Sequence, residues 1–150
     1  MTAAELRYAI LAVQREGNRR LAAALAPLEV SPAQAEVLVV LGEHGPLTLK
    51  GLGSLLVCES GSPSRLVDAL VRRGIVDRID NPMDRRQILL QLTKEGRRLL
   101  PEISAVEAEI DASLAHAFDK DLSAEMGERM RLFLAGTNTG DALQRRFPHE

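Results

Sequence analysis

Residues 59–93 read ESGSPSRLVDALVRRGIVDRIDNPMDRRQILLQLT. A helix comes first. Ser62 suits an N-cap, whose hydroxyl accepts from an otherwise unpaired backbone N–H. Pro63 suits the first helical position, where its missing N–H is no loss. Leu66, Val67, Leu70 and Val71 recur at helical spacing and form one stripe to bury. Arg72 and Arg73 fall in the last turn, where the helix dipole favours cations, and Gly74 supplies a left-handed stop. The opposite face carries Ser64, Arg65 and Asp68, the last placed four residues before Arg72 and so expected to pair with it. Ile75, Val76 and Ile79 suit a strand. Ile88, Leu90 and Leu92 alternate with Gln87 and Gln91 in a returning strand, with Leu89 breaking the alternation. Between the strands lies a polar loop, Asp80 to Arg86.

Upstream, Ser31-Pro32-Ala33-Gln34 is a capping box, and the helix it opens is expected over about residues 32–44. The run Val37 to Leu41 leaves that helix no polar side, so it belongs at the centre of the core. Gly45-Pro46 ends it. Thr48 can cap a short helix over about 49–57, and Cys58-Glu59-Ser60-Gly61 turns the chain into the helix at Pro63. Two helices joined by a tight turn containing glycine make a helix-turn-helix, and the hairpin that follows makes it winged. A long amphipathic helix is expected over about 4–26. After the wing Thr93 caps another through Leu114, which Pro101 should kink or divide. A further helix is expected from Ser123 to Leu134. A break at Gly136 to Gly140 then precedes a short helix through Phe147. The pattern predicts a mainly α chain with a small β-hairpin wing. Residues 30–95 form a winged helix-turn-helix, and residues 1–29 and 96–150 together form a helical dimerisation stem.

The chain has 150 residues, 45% apolar and only 3% aromatic, so its core must be aliphatic. No run reaches the roughly 18 apolar residues of a membrane span, and the N-terminal stretch does not resemble a secretory signal. With a single cysteine no internal disulfide can form. Together these features fit a cytoplasmic protein. Net charge is −2, but it is unevenly spread. Residues 60–100 hold nine Lys/Arg against five Asp/Glu, a net +4, and residues 101–135 hold three against eight, a net −5. A basic centre beside an acidic segment is the footprint of a nucleic-acid-binding head on a non-binding stem. In such a head the helix can lie in a major groove while the hairpin reaches a neighbouring minor groove. His44, His116 and His149 lack ligand spacing, so no metal is expected. No phosphate-binding glycine loop or nucleophile motif points to an enzyme, and no cofactor is expected.

The sequence resembles the MarR family of transcriptional regulators along nearly its whole length. The resemblance rests on Val30-Ser31-Pro32-Ala33-Gln34, Leu47-Thr48, Ser64-Arg65-Leu66-Val67, Arg72-Arg73-Gly74, the wing Asp84-Arg85-Arg86 and Leu92-Thr93-Lys94-Glu95-Gly96. It implies a homodimer that binds near-palindromic double-stranded operators, usually as a repressor. It also implies release from DNA by a small aromatic or other effector, or by oxidation of a cysteine. The turn Cys58 to Ser62 is about one residue longer than is usual in the family, and Pro63 stands where relatives often have an ordinary helix former.

Within that frame the candidate DNA-binding residues are Ser60, Ser62, Ser64, Arg65, Asp84, Arg85 and Arg86. In the family pattern Asp84 holds Arg86 for the minor groove, whose negative potential attracts arginine where it is narrow. Arg85 is expected on phosphate or on an acid of its own subunit. Arg65 can bond a guanine edge or a phosphate. Ser62 is expected to cap the helix rather than read a base. Cys58 is expected to pack half-buried, because the neighbouring Glu59 would raise its pKa where a sensor thiol needs it lowered. Two alternatives stand beside the repressor: a winged protein-interaction module that has lost DNA binding, and a thiol-based oxidant sensor using Cys58.

Overall fold

The computed structural model describes residues 1–58 and 62–148. Helix α1 (Ala3–Leu25) starts at a Thr2–Glu5 capping box, in which each side chain bonds the other residue's backbone N–H. A 3-10 turn (Ala26–Leu28) follows, and Glu29 takes a left-handed φ of 56° as the chain redirects. Helix α2 (Pro32–His44) begins at the Ser31–Gln34 box that its sequence announces. Its residues Ala35 to Leu41 are all buried, so it is the central post of the core.

Leu47–Thr48 form β1, a two-residue strand, and α3 (Leu49–Gly53) follows at once from a Thr48 cap. Sequence reading extended this helix to residue 57, but it stops after a turn and a half, with Ser54 Oγ donating to the Gly51 carbonyl. Helix α4 (Pro63–Arg72) has Pro63 in its first turn and ends before Gly74, whose φ is 69°. Strands β2 (Val76–Asp80) and β3 (Ile88–Leu92) pair antiparallel with Val76 opposite Leu92 and Asp80 opposite Ile88. β1 pairs with the other edge of β3, giving the order β1-β3-β2. Sequence reading assigned two strands here. It missed β1 because two residues show no alternation. The irregular Leu89 sits opposite Ile79 and Thr48 on the second, half-buried face of the sheet.

Helix α5 (Lys94–Ala117) starts at Thr93 and runs through Pro101 undivided. Helix α6 (Lys120–Leu134) is capped by Asp119, one turn earlier than the Ser123 start expected from sequence. Helix α7 (Asn138–Arg146) is capped by Thr137 and so begins inside the expected break. The core joins Leu25, α2, Leu52, Val67, Leu70, Val76, Leu90, Leu99 and Ile103. No single helix is long and apolar enough to cross a membrane.

Candidate nucleic-acid interface

Helix α4 buries Val67 and Leu70 against α2 and leaves Arg65, Asp68 and Arg72 exposed. The outward face is therefore Arg65 with Ser64 beside it, as the periodicity indicates. The cap differs from the expected one. Ser62 stands at the N-cap position, but its hydroxyl pairs with Ser64 Oγ at 2.6 Å and makes no cap bond to the first-turn amides. Pro63 has already removed one orphan donor, and the Arg65 N–H reaches the Ser62 carbonyl at 3.3 Å. Ser60, the remaining candidate at this end, lies outside the described residues, as does the rest of the long turn at 59–61.

Asp68 also departs from expectation. It pairs with Arg78 of β2, not with Arg72. Helical spacing put Arg72 within reach, but the returning strand brings a guanidinium nearer. This exposed pair joins the outer face of α4 to the wing. Both residues are about half exposed, which limits its worth to well under a kcal/mol or so.

The wing loop is built from two Asx turns, in which a short acidic or amide side chain accepts from the backbone two residues on. Asn81 Oδ1 accepts from the Met83 N–H at 3.0 Å, and Asp84 Oδ1 accepts from the Arg86 N–H at 3.0 Å. The Gln87 N–H closes the loop on the Asp84 carbonyl at 3.0 Å. Asp84 thus fixes Arg86 through its backbone, and the Arg86 guanidinium is left free of it. Arg65, Arg85 and Arg86 are exposed and make no ion pair among the described residues.

The wing is anchored at its base. Thr93 Oγ1 donates towards the Gly74 carbonyl at 2.7 Å and the Ile75 carbonyl at 3.1 Å, and accepts from the Gly96 N–H at 3.1 Å. The Thr93 N–H also reaches the Ile75 carbonyl at 3.1 Å. A Cβ at residue 96 would lie 2.3 Å from that carbonyl oxygen. The Thr93-Lys94-Glu95-Gly96 stretch therefore needs its glycine so that α5 can close on the start of β2.

One site residue was not found from sequence. Glu36, buried at 4% exposure within α2, accepts from the Val57 N–H and the Cys58 N–H, each at 2.8 Å. Its third partner is Arg146 of α7, at 2.7 Å. The signal was a lone carboxylate inside an apolar run, but its cation is 110 residues away. Cys58 lies at the protein surface with its sulfur turned in against this carboxylate. Desolvation, followed by the Glu36 charge and hydrogen bond, pushes the thiol up to about 11, with Arg146 opposing. Glu59, invoked from sequence for the same shift, lies outside the described residues. Burial likewise raises Glu107 of α5, against the pull of Arg146.

A recognition-type helix, a strand-loop-strand wing and a glycine-closed junction define the winged-helix class. Comparison with known proteins narrows it. The MarR family model matches residues 30–88. The Multiple antibiotic resistance protein MarR of Salmonella typhimurium is 32% identical over 87 residues, 58% of this chain and 60% of that protein. Among solved structures, a mutant MarR from E. coli complexed with operator DNA superposes with a TM-score of 0.77 at 27% identity, covering 87% of this chain and 94% of that one. A probable transcriptional regulator from Pseudomonas aeruginosa superposes with a TM-score of 0.66 at 30% identity, covering 80% and 93%. The chain belongs to the MarR family of transcriptional regulators.

Proposed function

We propose that the protein is a homodimeric repressor that binds a near-palindromic operator and leaves it when a small effector binds. In this reading residues 30–95 are the DNA-binding head, and residues 1–29 and 96–150 supply the dimer stem. Arg65, with Ser62 and Ser64 at the start of α4, faces the major groove, and Ser60 stays a DNA-binding candidate on sequence alone. Arg86 enters the minor groove beside Arg85, with Asp84 shaping the loop. The observation that carries the reading is the wing. Two Asx turns hold its backbone while both guanidiniums stay exposed and unpaired among the described residues. A loop serving only to join two strands needs no such cations at its tip.

The dimer has separate support. Helix α1 exposes Leu6, Tyr8, Ile10, Leu11 and Val13, and α6 exposes Leu132 and Phe133, the last at 88%. Large apolar side chains left exposed along amphipathic helices fit an association surface. Two-fold symmetry would also set two α4 helices about 34–36 Å apart, one turn of DNA. The test is selection of bound duplexes from a random-sequence pool, followed by gel shift. Enrichment of one inverted repeat, bound as two chains per site, is expected. An intact dimer that enriches no sequence at low salt refutes the reading and favours a protein-interaction module.

A further inference from the structure

Glu36 is where the C-terminal helix, the central helix and the turn ahead of α4 meet. Its Oε1 accepts from the Val57 N–H and from Arg146 Nη1, and its Oε2 accepts from the Cys58 N–H. Val57 and Cys58 are the last described residues before the turn, and α4 resumes at Pro63. A buried carboxylate holding two consecutive amides pins the backbone at Val57 and Cys58. The carboxylate in turn depends on a cation. Arg146 is 90% shielded as a side chain, and its Nε is buried with no hydrogen-bond partner among the described residues. A guanidinium brought in with one nitrogen unsatisfied is held for its charge and its reach to Glu36, since burying that group is otherwise unfavourable. Arg145 adds a weaker bond, its Nη1 donating to the Ser54 carbonyl at 3.4 Å, so α7 touches the α3–α4 region at two points. Ala142, buried at 3%, seats the same helix.

We propose that Arg146 is a positioning residue for DNA recognition: from the C-terminal helix it holds the Glu36 carboxylate on the Val57 and Cys58 amides and so sets how the chain enters α4. Arg146 touches no DNA in this scheme. Docking of α7 makes the head competent, and displacement of α7 releases the Val57 and Cys58 amides and weakens readout. The arrangement links the stem to the chain ahead of the recognition helix through one buried ion pair and the two amide hydrogen bonds that the carboxylate accepts. It rests on the DNA-binding reading above, and the two can fail separately. If the wild-type dimer selects no operator, that reading fails. If it selects one that Arg146 does not influence, the positioning role alone fails.

The test uses the full-length dimer and the operator it selects. Arg146→Gln should weaken operator binding about tenfold, in the range seen when a coupled network is cut. Affinity for random DNA should change less than about threefold, because the phosphate-facing cations are untouched. Hydrogen exchange supplies a readout that general destabilisation would not mimic. Deuterium uptake across residues 55–58 should accelerate about tenfold, while uptake across the centre of α2 stays at the wild-type rate. Arg146→Lys, which keeps the charge, should recover operator affinity to within about threefold of wild type. Unchanged operator affinity in Arg146→Gln overturns the proposal, as does unchanged exchange at 55–58. Equal losses on operator and random DNA also overturn it. Should Arg146→Gln not assemble, the double variant Glu36→Gln with Arg146→Met removes both buried charges together, and an intact dimer of that variant with wild-type operator affinity overturns the proposal equally.

Discussion

Replacing Gly96 with alanine tests how the wing is held. The added Cβ would stand 2.3 Å from the Ile75 carbonyl oxygen. An unstrained carbon–oxygen contact is about 3.3 Å or more, so the two backbones must part by roughly 1 Å. That oxygen accepts from both the N–H and the hydroxyl of Thr93, each at 3.1 Å. Two bonds worth about 1 kcal/mol each are lost or badly stretched. Strain in a packed junction adds about 1–3 kcal/mol. Alanine returns about 1 kcal/mol through its helix propensity. The balance is a destabilisation of about 2–4 kcal/mol, or roughly 4–16 °C in Tm for a chain of this size. Thermal melts at fixed protein concentration measure it, since a dimer's Tm depends on concentration. Lys94→Ala, an exposed change in the same turn, should stay within about 0.5 kcal/mol of wild type. A Gly96→Ala protein that melts at or above wild type would refute the close-contact argument.

Three further outcomes follow from the described contacts. Asp68→Asn removes the exposed pair with Arg78 and should lower stability by less than about 1 kcal/mol in a denaturant titration; a larger loss would mean that the α4–wing tie carries more than an exposed pair can. Cys58, with its thiol pushed up to about 11 from an ordinary 9.0, holds its proton until the solution is strongly alkaline. At pH 8 maleimide should therefore modify it roughly a hundredfold more slowly than a small thiol of ordinary pKa. Rapid alkylation, or a stable sulfenic acid at low peroxide, would revive the oxidant-sensor alternative. Ile10→Asp should convert a dimer into a species of one chain mass, 16.4 kDa, in size exclusion with light scattering; an unchanged dimer would remove α1 from the interface.

Much of this fold is legible in local chemistry. Ser31 with Gln34, Pro63 at the head of α4, Gly74 at its end and Thr93 before α5 each act within four residues of where they stand, so spacing alone places them. The wing loop is legible for the same reason, since Asn81 and Asp84 bond their own near neighbours. What escaped depends on distance or on shortness. β1 is two residues long and has no period. Asp119 and Thr137 cap helices whose first turns hold one apolar side chain, Leu122, between them, so no apolar stripe marks the start. Asp68 had a local partner in Arg72, yet tertiary structure placed Arg78 beside it. Ser62 looked like a cap, but Ser64 took its hydroxyl. Glu36 is the clearest case: its partners come from the α3–α4 turn and from α7, and no stretch of sequence contains all of them.

The central claim is that Arg65 and Arg86 give this protein sequence-specific DNA binding, and the measurement is affinity for the selected operator and for random DNA at several salt concentrations. Wild type should lose affinity steeply with salt, at a log–log slope of about −0.9 per phosphate neutralised, with roughly six to ten contacts per dimer. Arg65→Ala should narrow the operator-to-random gap by about 1–3 kcal/mol per half-site. Arg86→Ala should weaken operator binding by about as much at each site while melting like wild type. Operator affinity and the operator-to-random ratio both unchanged in Arg65→Ala and Arg86→Ala, with the dimer intact, would contradict the account.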